Sequence, residues 1–436
     1  MKTLFHIILS FTIVALTACG EGAPVIGVEQ QSNDSQVSDV PLTNKISKKR
    51  LNRIDAVLQE EVDAGIRAGF VAMVAKDGEA VYQTAVGMAD RENGVPMAVD
   101  TRFRIMSMTK AVTTVAIMQL VEEGYVLLSD PVSNYLPAFA NIQVVTSPTM
   151  KPDGSFETEP LERPMTIHHL LTHTAGFAAG WERKTDLDRY YSENSLHQAK
   201  GDLAARIDLL TTFPLAEQPG EKFLYSYGLD VAGRIVEIVS GKSLEAYFQD
   251  KIFKPLGMKD TEFFFDASDF NRLAVVYDVD EEGKLIPAAG PNDQALGWMP
   301  GGAGLVSTAG DYARFFMMLL NGGEFDGKRL LSPVSINLML QRNIPRSAGY
   351  RAIDSIAEAG GSTFGLGGDV LETPGLRGEM GTVGEWGWFG YFNTRAFLSP
   401  SNELIVIVMS QQLPVGAPKS RAGKLVKAIA YGAVEN

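Results

Sequence analysis

The chain has 436 residues, of which 45% are hydrophobic and 21% charged, with a formal net charge of −13. That balance supplies enough apolar residues for a sizeable core and argues against a chain that stays unfolded. The acidic charge, with no Lys/Arg-rich stripe to offset it, argues against a nucleic-acid partner, because phosphate backbones are gripped by cations.

The chain begins with Met1-Lys2 and an apolar run, Leu4 to Leu16, that is too short to span a bilayer comfortably. The run ends in Leu16-Thr17-Ala18-Cys19-Gly20, which resembles a bacterial lipobox, where the cysteine becomes the lipidated mature N-terminus. Cys19 is the sole cysteine, so a disulfide framework is excluded. These features predict a signal peptide over residues 1–18 and a lipid anchor to the membrane at Cys19. The expected location is periplasm-facing or extracellular, and Gly20 in place of an Asp retention signal points to the outer membrane in a Gram-negative cell. Residues 19–45 are rich in Ser, Asn, Asp, Gln and Pro and predict a flexible tether. The folded domain is expected over residues 46–436.

Leu51, Ile54, Val57, Leu58 and Val62 recur at helical spacing and predict a first amphipathic helix. Phe70 to Ala75 and Ala80 to Val86 are apolar runs separated by Lys76-Asp77-Gly78, a hairpin signal. Helices are expected over Lys110–Glu123, ending at Gly124, and over Ile167–Leu171, Leu203–Thr211, Leu229–Val239 and Leu244–Ile252. Trp386–Leu398 and Leu404–Met409 read as strands, and Lys419–Tyr431 as a closing helix. Strands at both ends with helices between predict an α/β domain with a mostly helical insertion, roughly residues 125–300. Thr146–Pro164, Trp181–Lys200 and Pro345–Gly361 read as long loops, either plain surface or the rim of a cleft.

The segment Phe103-Arg104-Ile105-Met106-Ser107-Met108-Thr109-Lys110-Ala111 opens the strongest helical pattern. Ser107 and Lys110, three residues apart, fall on one helical face. A serine hydroxyl needs a base within hydrogen-bond reach, and a lysine serves only when uncharged. Burial and the positive end of a helix both favour the uncharged amine. The same helix start aims free N–H groups at a developing oxyanion. Ser-x-x-Lys alone is a weak signal, equally read as a cap and a solvated lysine. It occurs once in this chain, however, and its neighbours Phe103, Ile105, Met106, Met108 and Val112 are apolar, where an idle lysine would be costly.

These residues resemble the nucleophile motif of the serine β-lactamase and penicillin-binding-protein superfamily, in particular class C β-lactamases, family VIII esterases and D-aminopeptidases. Four further segments carry the likeness in order: Leu170-Leu171-Thr172-His173-Thr174-Ala175-Gly176, Gln218-Pro219-Gly220 leading to Tyr225-Ser226-Tyr227, Pro255-Leu256-Gly257-Met258, and Gly301-Gly302-Ala303-Gly304-Leu305-Val306-Ser307-Thr308. The resemblance implies a β-lactamase/transpeptidase-like fold, an antiparallel sheet flanked by helices. It implies Tyr225 as a second base, with Tyr227 where relatives carry Asn. On its own Tyr225 reads as an ordinary half-buried aromatic. The third family motif, Lys-Thr-Gly, corresponds to Trp388-Phe389-Gly390, so the cation that anchors a β-lactam or peptide carboxylate is replaced by an indole. Esterase members of the branch often carry Trp-Gly-Gly there. Trp388, Phe389, Gly390 and Tyr227 are then the expected substrate contacts, and the Ser107 and Tyr391 N–H groups the expected oxyanion hole. A slip of two residues onto Trp386-Gly387-Trp388 would move the second donor to Phe389.

His168, His169 and His173 cluster, but Leu170, Leu171 and Thr172 stand where a zinc hydrolase needs a glutamate, so a structural or capping role is expected and no metal. There is no Gly-x-Ser-x-Gly elbow. Gly301-Gly302 reads as a tight turn beside the site. The expectation is acyl transfer to water through an acyl-enzyme on Ser107, without a cofactor, on a small-molecule ester. β-Lactams or D-amino-acid peptides are the alternative with the same mechanism. A non-catalytic, surface-tethered binding protein is the alternative of another class, motivated by Tyr227 and Phe389 as residues that could fill the cleft.

Overall fold

The computed structural model describes residues 45–180, 183–263, 272–288, 298–350, 360–413 and 420–435. The leader, Cys19, the tether and Trp181 lie outside the described residues. Residues 44–436 cluster as one unit.

Apolar runs from the two ends of the chain meet in one sheet. Its strands are β1 (Gly69–Lys76), β2 (Glu79–Asp90), β3 (Val95–Pro96), β4 (Ser362–Phe364), β5 (Asp369–Leu371), β6 (Trp386–Phe389), β7 (Arg395–Ser399) and β8 (Leu404–Met409). The order is β4-β5-β6-β7-β8-β1-β2-β3, with every pair antiparallel. Asp77 and Gly78 both have positive φ, 53° and 76°, the double left-handed turn whose twist suits a two-residue hairpin. β1 pairs with β8 from Val71↔Met409 to Lys76↔Leu404, which joins the two ends of the domain.

β1 and β8 are buried along their whole length because both faces of the sheet are covered. Phe70, Ala72, Val74, Leu404, Val406 and Val408 pack on one side beneath the helices Arg53–Asp63 and Ala422–Ala433. Val71, Met73, Ala75, Ile405, Ile407 and Met409 face the other side, toward the helix Ala309–Leu320 and the larger core. The chain between β3 and β4 is mainly helical, including Thr109–Glu122, Ile167–Leu171, Leu203–Leu210 and Gly228–Ser240. Thr109–Glu122 is buried on all sides through Leu120, which explains why its sequence lacks an amphipathic stripe.

Several elements differ from expectation: the stretches expected as loops over residues 146–164 and 181–200 hold the strand Thr158–Pro160 and the helix Asp186–Glu193. The run Trp386–Leu398 is two strands, broken by a turn in which Gly390 N–H donates to Thr394 O at 2.7 Å. The helix expected to end at Ile252 tightens into α-helix over Leu244–Phe248 and then widens into a π-turn over Gln249–Phe253. Among the described residues no helix is long and apolar enough to cross a membrane.

Candidate active site

The Ser107 turn is built before the helix begins. Phe103–Arg104 pairs with Val306–Ser307, and Ile105 N–H donates to Leu305 O at 3.0 Å. The Gln411 amide brackets the Arg104 backbone, accepting from its N–H and donating to its O, both at 3.1 Å. Met106 then takes φ +47°, a left-handed conformation that an unbranched L-residue adopts at a cost of about 1–3 kcal/mol. A 3₁₀ turn over Met106–Met108 leads into the helix at Thr109. The strained residue therefore immediately precedes the nucleophile and lifts Ser107 out of the core, where it is half-buried while Met108 and Thr109 are buried.

Lys110 is 5% exposed, and its Nζ donates to Ser107 Oγ at 3.1 Å and to Gly302 O at 2.6 Å. The Gly302 N–H donates to Asp230 Oδ1 at 3.0 Å. The backbone of one residue, Gly302, thus links the amine to a carboxylate that is 6% exposed. Burial pushes the Asp230 carboxyl up, while the Lys110 charge and the Gly302 N–H draw it back down. Gly301 and Gly302 are required by close approach. A Cβ on Gly301 would overlap Leu229 O of the helix Gly228–Ser240, and one on Gly302 would lie 3.0 Å from Asp230 Oδ2 and 3.3 Å from Lys110 Nζ.

Tyr225 sits beside this pair. Its ring lies 4.6 Å from Lys110 Nζ, and its phenolic oxygen accepts from Trp388 Nε1 at 3.0 Å. Trp388, Phe223, Tyr350 and Phe364 join it in one aromatic cluster. Trp386 lies elsewhere: it is fully buried, packed on Phe316 and under Gly368. Trp388-Phe389-Gly390, and not the pair two residues earlier, is thus the stretch that lies against Ser107 and Tyr225. A Cβ on Gly390 would overlap Ile105 O and Thr394 Oγ1, so this glycine lets β6 lie against the nucleophile turn. Neither the Ser107 nor the Tyr391 N–H donates to an acceptor among the described residues, and the Tyr391 side chain is 54% exposed.

One residue expected to touch substrate is placed in the core. Tyr227 is 8% exposed and stacks on Tyr191 in the core, at the N-terminus of the helix Gly228–Ser240. Phe389 stacks on Trp388 and packs against the aromatic cluster that holds Tyr225, and it also borders a cavity of about 70 Å³ with Gly387, Arg395, Lys424 and Lys427. That cavity is not lined by Ser107, Lys110 or Tyr225. His169 caps a helix: its Nδ1 accepts from Thr166 N–H at 3.2 Å, and Thr166 Oγ1 accepts from His169 N–H at 3.3 Å. Met106, Asp230 and the Gly302 carbonyl carried no recognisable signal of their role in the sequence.

Gly390→Ala should lower kcat/KM by about 10²-fold, because an ångström-scale displacement of β6 from the Ser107 turn misplaces the attacking and stabilising groups. Steady-state kinetics of the folded variant reads this directly; an unchanged rate would show that β6 tolerates the methyl and that its approach is not needed.

A hydroxyl, a buried amine one turn away and a tyrosine over that amine define a serine hydrolase of the Ser-x-x-Lys type. The beta-lactamase family model matches residues 54–431, and the chain belongs to that family. Esterase EstB of Burkholderia gladioli is 30% identical over 381 residues, covering 82% of this chain and 89% of its own length. Lovastatin esterase of Penicillium rubens is 30% identical over 350 residues, covering 77% and 85%. Among solved structures, EstCE1, a hydrolase with promiscuous acyltransferase activity, superposes with a TM-score of 0.73 at 27% identity, over 88% of this chain and 99% of its own.

Proposed function

We propose that the protein is a carboxylesterase acting on small esters. Ser107 Oγ attacks the ester carbonyl carbon, and its proton passes to Lys110 and Tyr225. The oxyanion forms against the Ser107 and Tyr391 N–H groups. Collapse breaks the acyl C–O bond, and the departing alkoxide takes the proton back. Water, giving its proton to the same pair, then attacks the acyl-Ser107 carbonyl; the acyl C–Oγ bond breaks, Ser107 Oγ takes that proton back, and the carboxylic acid leaves.

The observation that carries this reading is Trp388 in the position where a β-lactam or peptide carboxylate would need a cation. Its N–H is engaged by Tyr225 and its ring belongs to an apolar aromatic wall. Such a wall binds an uncharged ester without stranding a charge and offers a carboxylate no partner. EstB and lovastatin esterase, both named as esterases, lend the same support. Attachment to a membrane through Cys19 remains part of the proposal, and radiolabelled fatty-acid incorporation lost in Cys19→Ala would test it.

Short-chain p-nitrophenyl esters should be turned over at least about 10²-fold faster than nitrocefin, the typical loss when a charged group meets no partner in the site (about 3 kcal/mol). Nitrocefin turned over faster than the esters would replace the esterase reading with a β-lactamase one while leaving the Ser107 chemistry in place.

A further inference from the structure

His173 is 1% exposed and lies directly behind Tyr225, in none of the roles described so far. Its backbone is left-handed, with φ +54°. Asn, Asp and His are the non-glycine residues that most often adopt that conformation. From it, His173 grips the tyrosine segment at three points. Its carbonyl accepts from Leu224 N–H at 2.8 Å, its Nδ1 accepts from Ser226 N–H at 3.3 Å, and its ring lies 4.3 Å from that of Tyr225.

The neighbouring residues extend the grip. Thr174 O accepts from Gly220 N–H and Gly176 O from Ala216 N–H, both at 2.7 Å, and Ser226 Oγ donates to Ala178 O at 2.7 Å. Residues 173–178 therefore hold 216–226 along its length, and His173 is the contact at the tyrosine itself. The Tyr225 ring thus packs against both His173 and Trp388, with centroids 4.3 and 5.3 Å away.

The bond from Ser226 N–H assigns the imidazole: Nδ1 is the acceptor, so the proton is on Nε2. Phe223 and Phe364 enclose the ring at 5.9 and 5.5 Å, and no acceptor among the described residues meets Nε2. The Nδ1 acceptor and the ring packed against Tyr225 are what the position supplies. Burial and the nearby Lys110 charge hold this imidazole well below the usual histidine range, so it stays an acceptor at neutral pH.

We propose that His173 is a positioning residue for acyl transfer: by packing its ring against Tyr225 and accepting the Ser226 N–H, it fixes the phenol between Lys110 and Trp388. This rests on the reading of Tyr225 as a proton-handling group. His173 itself touches no reacting atom and acts only through Tyr225.

The test is a double-mutant cycle on the pre-steady-state acylation rate with a p-nitrophenyl ester, using His173→Phe, Tyr225→Phe and the double variant, each checked for folding by circular dichroism. His173→Phe keeps a ring and loses the acceptor. It should slow acylation about 10–10²-fold in the wild-type background and less than about 2-fold in the Tyr225→Phe background. His173→Asn, which tolerates the left-handed backbone and places an amide oxygen near the former Nδ1, should recover at least about half of the lost rate on a logarithmic scale. Equal losses in both backgrounds, or an Asn variant no faster than Phe, would overturn the proposal. If Tyr225→Phe alone leaves acylation unchanged, the Tyr225 reading fails and this one fails with it; if Tyr225→Phe is slow and the losses multiply, this proposal alone fails. Should His173→Phe not fold, His173→Gln, whose amide reaches toward Nε2 and not Nδ1, takes its place in the same cycle.

Discussion

Ser107→Ala should give a folded protein that forms no acyl adduct and turns over p-nitrophenyl esters about 10⁵–10⁶-fold more slowly than wild type. That is the scale on which removal of an activated nucleophile operates when the remaining donors and binding contacts stay in place. The geometry explains why chemistry is lost without the fold. Ser107 is half-buried at the head of a turn whose backbone is fixed by Arg104, Ile105 and Tyr312, not by its own hydroxyl. Lys110 loses one acceptor but keeps Gly302 O. Thermal stability should therefore stay close to wild type. Intact-mass spectrometry after fluorophosphonate treatment checks the nucleophile: wild type gains one adduct on the peptide containing Ser107, and the variant gains none. Adduct on another residue, or more than about 1% of wild-type turnover in Ser107→Ala, would move the nucleophile elsewhere, since the hydroxyl accounts for far more than that factor.

The central strands were legible because a sheet covered on both faces demands unbroken apolar runs, and Phe70–Ala75 and Leu404–Met409 are such runs. The hairpin between β1 and β2 was legible because Asp77-Gly78 accepts two successive positive φ values. The turn inside Trp386–Leu398 was hidden for the opposite reason. Gly390 and the residues after it lie among aromatic side chains and resemble strand, while the turn is imposed by the nucleophile segment packed against Gly390. At the site, the Ser107–Lys110 spacing is a local property of a helix and can be read from letters. The carbonyl that holds Lys110 cannot, because Gly302 lies 192 residues away and contributes only backbone. Tyr227 shows the limit from another side. Motif order placed it next to substrate, but at the N-terminus of its helix its ring packs on Tyr191 in the core.

Lys110→Met carries the other large expected effect and separates chemistry from stability. Loss of the amine removes the group in hydrogen-bond contact with Ser107 Oγ, and kcat should fall about 10³–10⁴-fold, the upper range for general-base removal. Two further consequences follow from what the amine touches. Gly302 O loses its buried donor, at a cost of about 1–3 kcal/mol. Asp230, whose carboxyl burial already pushes up, loses the charge that draws it down, so it should move further toward the protonated form. Asp230→Asn in the Lys110→Met background keeps an oxygen for the Gly302 N–H but carries no charge. It should regain part of the lost stability and none of the lost activity. Denaturant melts and kcat on the same four proteins (wild type, two single variants and the double) decide the matter. If activity returned with stability, Lys110 would serve the fold and Ser107 would draw its base from elsewhere. If stability stayed low while activity stayed lost, the Asp230 carboxylate would not be what the missing amine leaves exposed. The expected split, stability partly restored and catalysis still absent, requires Lys110 to act on Ser107 directly while the same amine also holds the Gly302 backbone that binds Asp230.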